Sequence, residues 1–414
     1  MTKIVEPGDV DIKFLEISNK SIKATVNPLS QLLGADIFED MSKPTMYAEF
    51  TFQDNLNLLK NFPIIGEENI TIEIQTPGMT KSSTFKFRVF EVANVVKDKN
   101  SKGVTYTLRC VSDEHLRAGS SLIKESQTGT VDTMVPYILN KYLDSSKALI
   151  IDEAKGIQTV AFPKQNPLLA IDMLRQRAVS KQYAASAYVF FENQAGFNFK
   201  TVEGLIKDGK SNIGSRIFNT QQNPMGSKIA QANAYRTILK YENIKKADSN
   251  AKASAGIFKA VTKIFDMNTK SFTSSDFNLK DVFGKLEKPA AGKVQLPNSD
   301  DFITTYGEGV PKQFFTLKDT TRPDTFIDTA MAVRNSFTVL LNSDVTRILI
   351  HGDTGLKAGD LITLNFFDPS GTTEKKKEDT MLSGNYMITR LRHMITPSTK
   401  NKHEISCDCV KMGI

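Results

Sequence analysis

Tryptophan is missing from the sequence, and in 414 residues there are only three cysteines and four histidines. No apolar run approaches the roughly 20 residues that a membrane-spanning helix needs. The opening stretch MTKIVEPGDVDIKFLEI carries charges where a secretory leader has an apolar core. These absences predict a chain made and folded in a cytosol, without a membrane anchor. The cysteines suit that compartment. Cys407 and Cys409 stand two apart, so a strand puts them on one face in poor geometry for a mutual disulfide. No CxxC-type pair offers zinc ligands, and with Cys110 they read as small apolar residues of buried strands.

Recognisable chemistry is scarce as well. His115, His351, His393 and His403 form no HExxH pair, and there is no GxSxG elbow and no phosphate-binding GxxxxGK[ST] loop. His351 to Gly355, HGDTG, reads as a turn between two strands. Glu67 and Glu68 are adjacent and would diverge on a strand, which argues against an acid–base pair. The expectation is therefore no catalytic residue, no metal and no cofactor.

What is present is the composition of a globular chain, 40% hydrophobic and 24% charged, too long for one ordinary core. The net charge of +7 is scattered apart from EKKKED (Glu374 to Asp379) and KNK (Lys400 to Lys402), which read as solvated loops. Aromatic-studded basic strands for nucleic acid are not written here.

The first third alternates with period two, the mark of half-buried strands. Ile12–Ile17, Ser21–Val26 and Met46–Phe52 are strand-like. So are the runs holding Ile70, Ile72 and Ile74, then Phe85, Phe87 and Val89, then Val104, Tyr106, Leu108 and Cys110. Lys97 to Gly103 reads as a hairpin loop, and the β-domain spans residues 1–112. The period then changes. Val131, Met134, Val135, Ile138, Leu139 and Tyr142 form a helical stripe with Thr130 or Thr128 as its cap. Asn166-Pro167 opens a second helix through Leu168, Ile171 and Leu174. These define a helical unit at 113–186.

Ala187–Val202 predicts a hairpin turning at Asn193–Gly196, and a strand follows near Tyr235–Tyr241, so 187–244 opens a second β region. Residues 245–312 are polar and read as an arm, helical near Ile257–Phe265 and otherwise loop. Within 313–414, Phe337–Leu341, Thr346–His351, Leu361–Phe367, Asn385–Ile395 and Glu404–Lys411 are read as five strands closing a second β-domain.

The two β-domains share a phrase. FPIIGEENITIEIQTPG (Phe62 to Gly78) and LKAGDLITLNFFDPSG (Leu356 to Gly371) each lead from a glycine and a carboxylate into a strand. Pro77 follows Ile70, and Pro369 follows Ile362, by the same spacing. A polar turn, a long strand, a hairpin and a last strand come next in both, ending Cys110-Val111 and Cys409-Val410. One blueprint is used twice.

In this layout, and in PTMYAEFTFQDNLNLLKNFPIIGEENITIEI and SGNYMITRLRHMITPSTKNKHEISCDCVK above all, the chain resembles the baseplate hub subunit of contractile-tailed bacteriophages. That family is related to the hub part of type VI secretion spike proteins. The resemblance implies an α+β protein, mainly β, with two tail-tube-like antiparallel barrels, and no enzymatic activity. It implies a homotrimer whose six barrels join a hexameric tail tube or tube initiator to a trimeric central spike. Neighbouring baseplate proteins would complete the assembly in the virion, and DNA would pass the channel without specific binding. His393 would be structural. The arm has no counterpart in the family. Candidate assembly contacts are the apolar connection Ser30–Lys43, carrying Leu32, Leu33, Ile37 and Phe38, and the hairpin tip with Lys97 and Lys99. Competing readings are a monomeric cell-envelope protein that binds or hydrolyses carbohydrate, and the hub of a tailocin or secretion particle.

Overall fold

Period-two patterning places seven antiparallel strands in the first quarter of the chain. They are β1 (Asp11–Asn19), β2 (Ala24–Val26), β3 (Leu32–Asp40), β4 (Tyr47–Asp54), β5 (Asn69–Gln75), β6 (Ser83–Lys97) and β7 (Val104–Val111). The computed structural model describes residues 6–19, 22–79, 81–97, 103–220, 234–245, 256–289, 312–367, 379 and 382–412. The strands lie in the order β3-β4-β7-β6-β5-β1-β2. Ile70, Ile72 and Ile74 face inward with Phe50, Phe52, Phe87, Tyr106 and Leu108 in one core. Thr71, Glu73 and Gln75 lie on the other face, as alternation requires.

The expected helices follow. Val131–Leu143 buries Val131, Met134, Val135, Ile138 and Leu139. Its cap residue is Thr130, but the Thr130 side chain makes no cap bond; instead Thr133 Oγ1 donates to the Thr130 carbonyl at 2.7 Å. Pro167–Arg177 is capped as its sequence suggests, Asn166 Oδ1 accepting from the amides of Leu168 (2.9 Å) and Leu169 (3.3 Å). Short strands surround them: β8 (Ser126–Gly129), β9 (Leu149–Ile151), β10 (Ala154–Lys155), β11 (Gln158–Ala161) and β12 (Val179–Ser180). The hairpin β13 (Tyr188–Asn193) and β14 (Gly196–Thr201) turns where predicted and packs Phe190, Phe197 and Phe199 against both helices.

The second barrel is built from β15 (Ile217–Asn219), β16 (Ile238–Lys245), β20 (Asp344–His351), β21 (Leu361–Asn365), β22 (Gly384–Thr396) and β23 (Lys402–Lys411). Its order is β16-β20-β23-β22-β21-β15, and β22 also pairs with β3. That one pairing fuses both barrels into a 13-stranded sheet.

Three expectations are corrected. Phe337–Leu341 is not a strand but the end of the helix Ile327–Leu341. Five apolar residues cannot fix a period, and the buried Val333, Phe337, Leu340 and Leu341 share one helical face. The arm is not helical near Ile257–Phe265: β17 (Lys259–Asp266) pairs with β18 (Ser271–Asn278) and, in parallel, with β19 (Lys312–Lys318). Between these strands, 290–311 lies outside the described residues, as does 246–255 before them. Finally, Ser30–Lys43 is no connection, since most of it is β3.

Candidate assembly surface

Internal pairing shows how closely the second barrel repeats the first. The order β3-β4-β7-β6-β5 matches β16-β20-β23-β22-β21 strand for strand, but the next strand differs, β1 running antiparallel to β5 and β15 parallel to β21. Two irregularities recur at equivalent places, while the shifts at Ala93–Val96 in β6 and Asn243–Lys245 in β16 have no counterpart. A bulge at Leu32–Gly34 against β4 answers a bulge at Ile238–Lys240 against β20. Another at Val89–Glu91 against β7 answers one at Ile388–Arg390 against β23. Cys110 pairs with Val89 and Ala48, while Cys409 pairs with Ile388 and Thr346. Bulges are specific local features, so the two that coincide align these strands residue by residue up to the unmatched shifts. All three cysteines are buried and unpaired, and burial pushes the Cys110 thiol well up.

The repeated phrase has a structural reason. Gly66 and Gly359 both have left-handed backbones, with φ of 100° and 91°, which glycine adopts without strain. The carboxylate that follows then collects amides. Glu68 accepts from Ile65 (2.9 Å), Gly66 (3.0 Å) and Glu67 (3.1 Å). Asp360 accepts from Lys357 N (3.1 Å) and pairs with Arg216 (2.9 Å). In both, the carboxylate residue's own carbonyl accepts from the long strand, at Val89 N and at Ile388 N. Glu67 and Glu68 are therefore a turn-forming pair, one exposed and one buried.

Charges on the outward face are reversed between the copies. Arg109 lies between Glu49 (3.4 Å) and Glu91 (3.0 Å). At the equivalent place Asp408 lies between Arg347 (2.7 Å) and Arg390 (3.8 Å). At the joint, Arg390 reaches Asp40 (3.1 Å) and Arg392 reaches Asp36 (3.0 Å).

Buried polar groups lock the barrels and the helical unit together. Glu39, on β3, accepts from Gln194 N (2.8 Å) at the hairpin tip and from Ala358 N (2.7 Å) in the second barrel. Burial pushes its carboxyl up to about 8 against the pull of those amides. Glu192 accepts from Met46 N and pairs with Lys147 (2.6 Å), and the Ser112 hydroxyl donates to it. The HGDTG turn joins the barrels directly: Thr354 N donates to Thr76 Oγ1 (3.0 Å), and Ser83 Oγ donates to the Thr354 carbonyl (3.0 Å). None of these partners is near its mate in sequence, so pattern alone gave no signal of them.

His393 is buried on β22, and its surroundings are informative. Its Nδ1 is 3.0 Å from His403 Nε2, and its ring lies 5.5 Å from that of Phe85 across the joint. Both imidazoles are fully buried, and burial pulls His403 down to about 4 and His393 well below the ordinary range.

The predicted contacts separate. Leu32 and Ile37 belong to the first barrel's own core. Leu33, at the bulge, is 44% exposed, as is its counterpart Leu239 at 40%. Phe38 packs on Tyr47, with the Arg392 guanidinium over its ring. Lys97 is exposed at the end of β6, and Lys99 falls outside the described residues, as does most of EKKKED. Sequence reasoning missed the exposed edges themselves: β6 has no strand on its second side beyond Arg88, and β16 ends the sheet, among the described residues. Among those residues no helix is long and apolar enough to cross a membrane.

No family model and no curated protein matches the sequence. Solved structures do match. The tail protein from Neisseria meningitidis MC58 superposes with a TM-score of 0.57 at 8% identity, covering 96% of this chain and 96% of that one. The 43 kDa tail protein of prophage MuSo2 from Shewanella oneidensis gives 0.55 at 9% identity, covering 96% and 98%. The resemblance met in the sequence thus holds at the level of architecture: an α+β chain, mainly β, with the fold of these tail proteins.

Proposed function

We propose that this protein is a structural hub of a phage tail baseplate, acting as a homotrimer. Three chains contribute two equivalent barrels each, so a threefold assembly presents six similar units. A hexameric tail tube or its initiator then meets one face and a trimeric spike the other, with neighbouring baseplate proteins around them and DNA passing through unbound. The observation that carries this reading is the duplication of the barrel, with two bulges at equivalent places, in a chain whose fold is that of tail proteins. Duplication is what symmetry matching needs, because closed rings reuse one interface. The work is mechanical, and no catalytic group, cofactor or metal is assigned to it.

Light scattering on a sizing column tests the reading, with the protein alone and with its spike. A mass near three times 46.0 kDa is expected, alone or on addition of the spike. A monomer in both conditions overturns it.

A further inference from the structure

The internal joint between barrels shows what a joint between copies requires. Within the chain, the second half of β22 pairs with β3: Arg390 faces Asp40, His393 faces Ile37, Met394 faces Asp36 and Ile395 faces Ala35. The equivalent of that half of β22 is the second half of β6, from Glu91 to Lys97, and the equivalent of β3 is β16. Both equivalents are unpaired on the corresponding side among the described residues. Resting on the trimer reading above, we infer that β6 of one copy pairs antiparallel with β16 of the next, repeating the β22–β3 joint and closing the ring.

Burial supports this pairing. At the internal joint Ala35, Ile37 and Ile395 are at most 2% exposed. Tyr241, which stands where Ala35 does, is 44% exposed, and Val95 and Val96 on β6 are 56% and 60% exposed. Ile244 on β16 is 46% exposed. Long apolar edges of this kind invite pairing with another strand and are normally covered. Exposed apolar residues therefore cluster where the duplicated architecture calls for a partner.

Charge selects which partner. The β22 edge presents Arg390 and Arg392 to Asp40 and Asp36 of β3. On β6, Glu91 stands where Arg390 does, so β3 of another copy would set Asp40 against a like charge. The β16 position opposite Glu91 in that register lies beyond Lys245, outside the described residues. Transferring the internal register puts Val96 opposite Glu242, with Lys97 beside it. The sign reversal between the barrels thus disfavours β6–β3 contacts, while Lys97 stands next to Glu242 at the β6–β16 one. A head-to-tail contact of this type closes into a ring when its rotation permits.

Cysteine cross-linking of the full chain tests the register. A Val96→Cys/Glu242→Cys variant, both sites being exposed, is oxidised mildly and run on a non-reducing denaturing gel. A Met394→Cys/Asp36→Cys variant, at the equivalent internal positions, reports whether this register allows a disulfide. Expected results are covalent dimers and trimers for the first variant, an internal bond with unchanged mass for the second, and no ladder for either single variant. If light scattering shows a trimer and the internal disulfide forms, yet the Val96→Cys/Glu242→Cys variant gives no ladder, the strand pairing is wrong and the trimer stands. Ladders from a single variant also overturn the pairing. A monomer throughout overturns both.

Discussion

Replacing Glu39 with alanine is expected to destabilise the protein by about 2–6 kcal/mol, because it orphans two buried amides at roughly 1–3 kcal/mol each. Glu39 is 1% exposed and holds Gln194 N and Ala358 N with its two oxygens. One carboxyl thus ties β3 to the helical unit's hairpin and to the second barrel, and the variant loosens all three together. The early part of a urea transition, followed by near-ultraviolet signal or protease sensitivity between the barrels, is the measurement. Glu39→Gln keeps one acceptor oxygen and is expected to lose less. The effect has a pH sign. A carboxyl raised to about 8 in the fold from an ordinary 4.5 holds a proton that the unfolded chain releases. Its contribution is complete below the unfolded value and declines as pH rises towards 8. The alanine penalty is therefore larger near about pH 6 than near about pH 8.5. Equal stability of alanine variant and parent at both pH values would refute the clamp.

The second large effect belongs to the histidine pair, and its sign is opposite. Unfolded histidine titrates near 6.5, and His403 is held down to about 4 in the fold. Between those values the unfolded state binds more protons, so stability rises with pH across this window and is lost as pH falls through it. For His403 alone the full loss is about 3 kcal/mol, at roughly 1.36 kcal/mol for each pH unit between the two values. His393 adds to it in the same direction. The cause is geometric. Two buried rings whose facing nitrogens are 3.0 Å apart share a hydrogen bond that a neutral donor and a neutral acceptor can make, and that two imidazolium rings cannot. Imidazole resonances followed by NMR give the direct check. Two histidines are expected to hold their shifts down to about pH 5. Titration of all four near 6.5 would contradict the buried pair. The joint between the barrels is thus acid-sensitive at His393 and alkali-sensitive at Glu39.

Local pattern determined much of this protein from its sequence. Alternation at Ile70, Ile72 and Ile74 and at Tyr106, Leu108 and Cys110 located the barrel strands, because half-buried strands select side chains two by two. Asn166-Pro167 marked a helix start, because capping is chemistry among adjacent residues. The glycine–carboxylate phrase and the paired endings at Cys110 and Cys409 exposed the duplication. Where apolar runs were short or strands polar, pattern failed. Phe337–Leu341 read as a strand and the arm near Ile257–Phe265 as helical, since only their packing partners, the arm's sheet and the core beneath it, decide between the periods. Leu32 and Ile37 looked too apolar for a free segment, which was correct, but their place was the barrel's own core. Tertiary structure alone decided the rest: the β22–β3 joint and the Glu39 clamp unite residues remote in sequence, whose contact no local period encodes. Which edges stay open was likewise settled only when every other strand had found its neighbour.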